Sequence, residues 1–302
     1  MSLSITTMGE GSPLLDPKRP QPGVYPDVPE SVYHGEWDLA SSTRLWRLWR
    51  TTPAHMRFDV EHPQETRALR VGRLLHTMVL TPALAGQQFA VAPTVDRRTK
   101  AGKAAWAEFV ASAADKTVVA ADEYHALSHA YEAVRRHETA TILLHACTQR
   151  ELSVVVDLKG VRVKVRLDGH GDVAGVIDLK STSGTATKQE FERAVATLGY
   201  GFRAALYRMA CRAAGLSCDD FSYIVVEIPT VDDEGRLESH CEARVFRLRD
   251  EVMDAYEGPV EEALAKYGEC ERLNTWPGYP QDVEDVALPT WTARELGMEV
   301  FP

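Results

Sequence analysis

Residues Val161 to Lys180 read VRVKVRLDGHGDVAGVIDLK, and the alternation within them decides how the second half of the chain is read. From Val161 to Asp168 apolar and polar residues alternate with the period of a strand, which places Arg162, Lys164, Arg166 and Asp168 on one face. Gly169, His170 and Gly171 break the run and read as a tight connection to a second strand, Val173 to Lys180, so the two pair as a hairpin. In that second strand Asp178 and Lys180 are two apart and share a face. Two carboxylates from adjacent strands and one ammonium then converge on a small volume, which can hold a cation.

Outward from this hairpin, period two begins at Glu151, giving SVVVDLKG, VRVKVRLD and DVAGVIDLK as three strands. Helices over Lys188 to Leu198 and Tyr200 to Ala214 follow, then strands at Phe221 to Ile228 and Cys241 to Leu248, and a long helix from Glu251 to Leu273. That order predicts an α/β fold, a mixed central sheet flanked by helices. The half before Glu151 reads as helical. Ser41 or Ser42 caps a helix that Thr52-Pro53 closes, Glu65 to Leu80 forms a second that stops at Thr81-Pro82, and helices follow at Ala104 to Ala113 and Ala121 to His137. Between them Phe89 to Lys103 reads as irregular. Residues 1–30, rich in Gly, Pro and Ser, read as an irregular lead-in, and residues 31–302 as one domain: helical over 31–150, sheet-containing over 151–250, with a C-terminal helix and tail over 251–302.

At 302 residues, with 44% hydrophobic and 26% charged residues, the composition is globular. No run is long enough for a membrane span and no basic stretch followed by an apolar one opens the chain, so a cytoplasmic protein of a bacterial or phage-infected cell, without a membrane partner, is expected. Five scattered cysteines without a C-x-x-C pair argue against a disulfide framework or zinc site. A net charge of -10 counts against indiscriminate nucleic-acid binding, yet leaves room for a locally basic channel.

Two carboxylates beside a lysine suit phosphodiester hydrolysis: the carboxylates hold a hard divalent ion, and the lysine orients and activates water. Asp-x-Lys by itself carries little weight, since it is expected by chance roughly once in a chain of this length. Asp157-Leu158-Lys159 repeats it, but leads straight into Gly160 and reads as a hairpin tip. On these residues alone a nuclease centre and a salt-bridged surface hairpin are equally supported. Elsewhere, His76 lies four residues after Gly72 on one helix face, where a core histidine and a metal ligand are both open readings. Arg97, Arg98, Lys100 and Lys103 form a basic run that reads equally as a phosphate-contacting loop or a solvated face. Tyr200, Arg203 and Tyr207 share a helix face.

Taken in order, SSTRLWRLWRTTPAHM, VGRLLHTMVLTP, DRRTKAGKAAW, VRLDGHGDVAGVIDLKST, LGYGFRAALYR and WPGYPQDVEDVALPTW, spread from about Tyr33 to Trp291, resemble the exonuclease VIII family, the RecE-like PD-(D/E)-x-K nucleases of phages and prophages. The resemblance implies a metal site of His76, Asp168 and Asp178, with Lys180 as the catalytic lysine, Leu179 as a ligand through its backbone carbonyl, and Glu151 as a further acidic residue near the metals. It implies Mg2+, with Mn2+ as a substitute, and 5′ to 3′ degradation of double-stranded DNA from its ends. The products are 3′ single strands for a recombination annealing protein, and the assembly is a homo-oligomeric ring. Lys164, Arg166, the Arg97 to Lys103 run, Arg203 and Tyr207 are the expected DNA contacts. Many relatives carry Gln-x-x-x-Tyr where this chain has Arg203 and Tyr207, and that departure bears on substrate preference. A catalytically silent DNA-end-binding module and an endonuclease or single-strand nuclease with the same metal site remain alternatives.

Overall fold

The computed structural model describes residues 16, 18–113 and 115–298. Its elements begin with a short strand β1 (Gly23–Tyr25), a π-helical turn (Val32–Glu36), and helices α1 (Ser42–Arg50), α2 (Pro53–Glu61), α3 (Arg67–Leu80) and α4 (Pro82–Gln88). Then come β2 (Phe89–Val91), α5 (Lys100–Ser112), β3 (Thr117–Val119), α6 (Ala121–Arg136) and α7 (Glu138–Ala146). The second half holds β4 (Gln149–Leu158), β5 (Val161–Gly171), β6 (Gly175–Thr182), α8 (Lys188–Thr197), α9 (Tyr200–Ala214), β7 (Phe221–Glu227), β8 (Ala243–Arg247), α10 (Asp250–Leu273) and α11 (Thr290–Glu295). No helix among the described residues is long and apolar enough to cross a membrane.

The central sheet has strand order β1-β4-β5-β6-β7-β8, antiparallel throughout except for the parallel pair β6 and β7. A parallel pair needs a crossover, and α8 and α9 supply it. One apolar cluster gathers Val163, Val165 and Leu167 of β5 with α1, α9 and α10; a second gathers Ile177 and Leu179 of β6 with α3, α6 and α7. The helices start where the sequence offers a side-chain acceptor: Ser41, Thr52, Thr66 and Thr187 each accept from an amide in the following turn. Between α8 and α9 the chain turns at Gly199, whose φ is 75°, and a Cβ there would meet the Trp46 ring at 2.6 Å. The Asp157-Leu158-Lys159 copy closes a hairpin, with Lys159 and Gly160 at φ 51° and 82°, Asp157 pairing with Arg162 and Lys159 with Glu261.

Four expectations are corrected. Gly169, His170 and Gly171 do not turn the chain; β5 runs through them and the turn falls at residues 172–174. These glycines serve close approach instead, since a Cβ on Gly169 would stand 2.7 Å from Cys147 Sγ and one on Gly171 would overlap the Ala146 carbonyl. The irregular lead-in ends early: Gly23–Tyr25 is an edge strand on β4, while residues 1–15 and 17 lie outside the described residues. Phe89 to Lys103 is partly regular, because β2 pairs with β3 and Thr99 caps α5 by accepting from the Gly102 amide.

The fourth concerns Lys164 and Arg166, which face inward rather than toward a phosphate. The N-terminal segment lies across their face of β5, with Tyr25, Val28, Tyr33, Trp37 and Leu39 packed on Val155. Lys164, 4% exposed, donates to the backbone carbonyls of Trp37, at 2.6 Å, and Tyr33. Arg166 donates to Ser153 Oγ at 3.1 Å and to the Val28 carbonyl. The Tyr33 ring covers both cations, 4.8 Å from the ammonium and 4.4 Å from the guanidinium. Burial pushes the Lys164 ammonium down to about 7, with Arg44 adding to the fall. Both side chains thus strap the N-terminal segment to the sheet. Lys164→Met, which keeps the stem and removes the donors, is expected to lower stability by about 2 kcal/mol through two orphaned carbonyls. A urea melt checks this, with a lowered midpoint at unchanged slope.

Candidate active site

The ladder between β5 and β6 holds three pairs, Gly171↔Gly175, His170↔Val176 and Gly169↔Ile177, and stops one residue short of Asp168 and Asp178. Beyond that point Leu167 feeds the first core and Leu179 the second, so the strands part as a fork. Asp168 bridges the opening with its side chain: Oδ2 accepts from the Leu179 amide at 2.8 Å. On the other edge of β5, Arg150↔Gly169 and Leu152↔Leu167 are paired, while Glu151, opposite Asp168, is not and has a φ of 50°. Left-handed backbone at a glutamate costs about 1 kcal/mol, and here it lies at the fork.

Helix α3 brings the third group. Leu74, Leu75, Val79 and Leu80 bury its inner face, which leaves His76 turned toward the fork. His76 Nε2 lies 2.8 Å from the Leu179 carbonyl oxygen. A carbonyl only accepts, so Nε2 carries the proton and donates, and Nδ1 keeps its lone pair. That atom is 3.5 Å from Asp168 Oδ2 and 4.0 Å from Glu151 Oε1. Burial lowers the His76 pKa against the pull of Asp168, keeping the ring neutral. One ligand atom from each of His76, Glu151 and Asp168 lies within 4.8 Å of the others. One imidazole nitrogen and two carboxylates are a donor set for a divalent cation, and the hydrogen bond to Leu179 fixes the imidazole for that role. Burial, with the Asp168 charge, pushes the Glu151 carboxyl up to about 8, against the Arg166 guanidinium 3.8 Å away.

Asp178 stands apart from these three. It is 2% exposed, in contact with the Lys180 ammonium, and 3.7 Å from the Arg203 guanidinium of α9. Lys180 Nζ is 5.4 Å from the Tyr200 ring centroid and 5.8 Å from that of Tyr223, the residue paired with Asp178 across β6 and β7. Burial, with Arg203 adding, pushes the Lys180 ammonium down to about 7. An open cleft of about 530 Å3 leads away from Lys180 past Thr182, Phe191, Arg193 and Tyr200.

The fork therefore gathers His76, Glu151 and Asp168, with Asp178, Lys180 and Arg203 as an adjoining group. Leu179 joins them, its amide held by Asp168 and its carbonyl engaged by His76, which leaves that oxygen one further lone pair. Tyr207 is buried on α9, one turn beyond Arg203. Arg97, Arg98, Lys100 and Lys103 lie exposed at the entry to α5, with Arg97 over the Trp106 ring at 4.4 Å and Arg98 paired to Asp96. None of the four has a hydrogen bond or ion pair to the carboxylates among the described residues. The aromatic wall from Tyr223 was missed in the sequence, although its alternate position on a strand beside Asp-x-Lys is the signal that finds it.

Residues 48–288 match the model of a family described as a PDDEXK-like domain of unknown function (DUF3799). A search of curated proteins finds no match. Among solved structures, a protein from Eubacterium rectale assigned as an exonuclease is similar at a TM-score of 0.53 and 14% identity, covering 81% of this chain and 91% of its own. A phage related exonuclease from Haemophilus somnus 129PT aligns at a TM-score of 0.35 and 12% identity, over 78% of this chain and 96% of its own. The first likeness supports the fold.

With Glu151 neutral below about pH 8, a divalent ion that takes its carboxylate displaces a proton. Apparent metal affinity is expected to rise about tenfold per pH unit below 8 and to level off above it. Calorimetric titration at several pH values checks this, and Glu151→Gln is expected to flatten the dependence.

Proposed function

The chain belongs to this PDDEXK-like family, in keeping with the resemblance of its motifs to RecE-like nucleases, and from that premise we propose that it is a magnesium-dependent exodeoxyribonuclease. In this reading it degrades double-stranded DNA from its 5′ ends and leaves 3′ single strands for a recombination annealing protein. The observation that carries it is the convergence of His76 Nδ1, Glu151 and Asp168 beside a buried lysine whose ammonium is pushed down to about 7. Manganese suits the same donors. Strand polarity, DNA-end preference, the annealing partner and a ring-shaped homo-oligomer rest on the family resemblance, and a cytoplasmic site of action on the sequence expectation.

A divalent ion held by His76, Glu151 and Asp168 would supply Lewis-acid polarisation of the scissile phosphate and stabilise charge on the leaving 3′ oxygen. The protein's own groups do the rest. Asp178 and the rings of Tyr200 and Tyr223 hold Lys180 in place. Its amine, near neutrality at pH 7, is matched to accept a proton from water at the phosphorus. Arg203 offers a planar fork to a non-bridging phosphate oxygen, a task for which the amide of the usual glutamine is uncharged. Tyr200, half-buried beside Lys180, lines the cleft beyond it and offers an aromatic edge to the strand as it leaves.

Linear and covalently closed duplex DNA, incubated with magnesium, separate this reading from its alternatives. Loss of linear DNA only is expected; cutting of the circle would favour an endonuclease, and binding without cutting a silent module. Asp178→Ala and Lys180→Gln are each expected to lower the rate by about 10²–10⁴ while the protein stays folded. The wild-type rate is expected to rise with pH through about 7, as the Lys180 amine loses its proton, and then to reach a plateau. That ascending limb should vanish in Lys180→Gln.

A further inference from the structure

Helix α3 carries His76 to the carboxylate cluster. Leu69, Gly72, Arg73 and His76 recur at spacings of three, one and three along that helix, the pattern of a single face. This face is open. Leu69 is 57% exposed, a Cβ on Gly72 would meet nothing within 4 Å, and the Arg73 and His76 side chains are partly exposed. Nothing in the folding of α3 requires a bare stripe, since its inner face already packs through Leu74, Leu75, Val79 and Leu80. A glycine inside a helix costs about 1 kcal/mol against alanine, so the gap four residues before His76 has no stabilising role.

Arg73 lies one turn before His76 and is held by carboxylates alone. It contacts Glu65, just before the helix, and its Nε lies 3.9 Å from Glu30 of the N-terminal segment. That Nε is buried and has no hydrogen-bond partner, so the guanidinium keeps a donor in reserve. Glu65 is exposed and Glu30 half-exposed, and neither makes another ion pair among the described residues. A guanidinium held by two solvent-accessible carboxylates, on the open helix face that carries His76, has the chemistry to exchange them for a phosphate.

We propose that the DNA strand reaches the cluster across the outer face of α3, over Gly72, with Arg73 releasing Glu65 and Glu30 to grip a backbone phosphate next to the one that is cut. The proposal rests on the nuclease reading and adds a substrate path to it. It also answers how a chain of net charge -10 engages a polyanion: the cation is present but masked, and the masking carboxylates are displaced on binding. Counterion release then follows the exchange as for any arginine–phosphate contact.

The test measures binding of a blunt duplex of about 20 base pairs with calcium in place of magnesium, across a salt series, for full-length variants. Arg73→Gln is expected to weaken binding about tenfold and to lower the slope of log affinity against log salt by about one. Gly72→Leu is expected to weaken binding at least as much, while its melting temperature holds or rises and calorimetric metal binding is unchanged. Glu65→Gln, which frees the guanidinium, is expected to tighten binding a few-fold, an effect a purely structural Arg73–Glu65 pair would not produce. Arg236→Gln, at an exposed arginine paired to Asp232 and Glu234, is the control and should leave the slope as it is. Wild-type binding with Arg73→Gln and Gly72→Leu indistinguishable from it, or an equal loss of slope in the control, overturns the path and leaves the nuclease reading standing. A wild-type protein that neither binds nor cuts duplex overturns both.

Discussion

The hydrogen bond from the Leu179 amide to the Asp168 carboxylate replaces a backbone ladder bond at the place where β5 and β6 part. An unpaired buried amide would cost as much as a lost hydrogen bond, so the fork can exist only because a side chain fills it. Once Asp168 does so, the same oxygen lies 3.5 Å from His76 Nδ1 with Glu151 opposite, and the Leu179 carbonyl is free to orient His76. Sheet topology makes the same point from the other side. β6 keeps its parallel pairing with β7 from Val176 to Thr182, while its antiparallel pairing with β5 ends at Ile177, one residue before Asp178.

Around that opening the charges separate into two poles. His76, Glu151 and Asp168 form an acidic, partly open pole, while Asp178 is neutralised between Lys180 and Arg203. Burial acts on both, lifting the Glu151 carboxyl and lowering the Lys180 ammonium, so each pole is brought toward neutrality before any cation or substrate arrives. Perturbed carboxyl and amine groups gathered around one opening are the pattern expected of a functional site. Arg203 places a permanent charge against Asp178, which a neutral amide at this position would not supply.

The N-terminal segment has a role that its composition conceals. Tyr33 and Trp37 lie over Lys164 and Arg166, and Arg166 in turn faces Glu151. The segment therefore fixes the cations beneath the cluster, and through Glu30 it reaches Arg73 at the entrance. Of the stretch read as a lead-in, Val28 accepts from Arg166 and Glu30 approaches Arg73, while Tyr33 and Trp37 lie just beyond it.

Much of this was legible in the residues. While the ligand role expected of His76 came from the family resemblance, period two located β4 to β8, Ser41 was marked as a helix cap, and Asp168, Asp178 and Lys180 were singled out by residue type and spacing. These follow from local rules, in which the backbone's own geometry reads out the order of side chains. What local order could not decide was which face of β5 meets solvent. Lys164 and Arg166 alternate as outward residues should, and only a segment about 130 residues earlier in the chain, packed on that face, makes them interior. Nor could spacing separate Asp178 from Asp168, since packing alone sets which of two distant partners, α3 or α9, lies against each carboxylate. Local pattern determined the elements and marked Asp168, Asp178 and Lys180 as candidates. Long-range packing decided which of them meet, because contact across the sheet depends on what covers it.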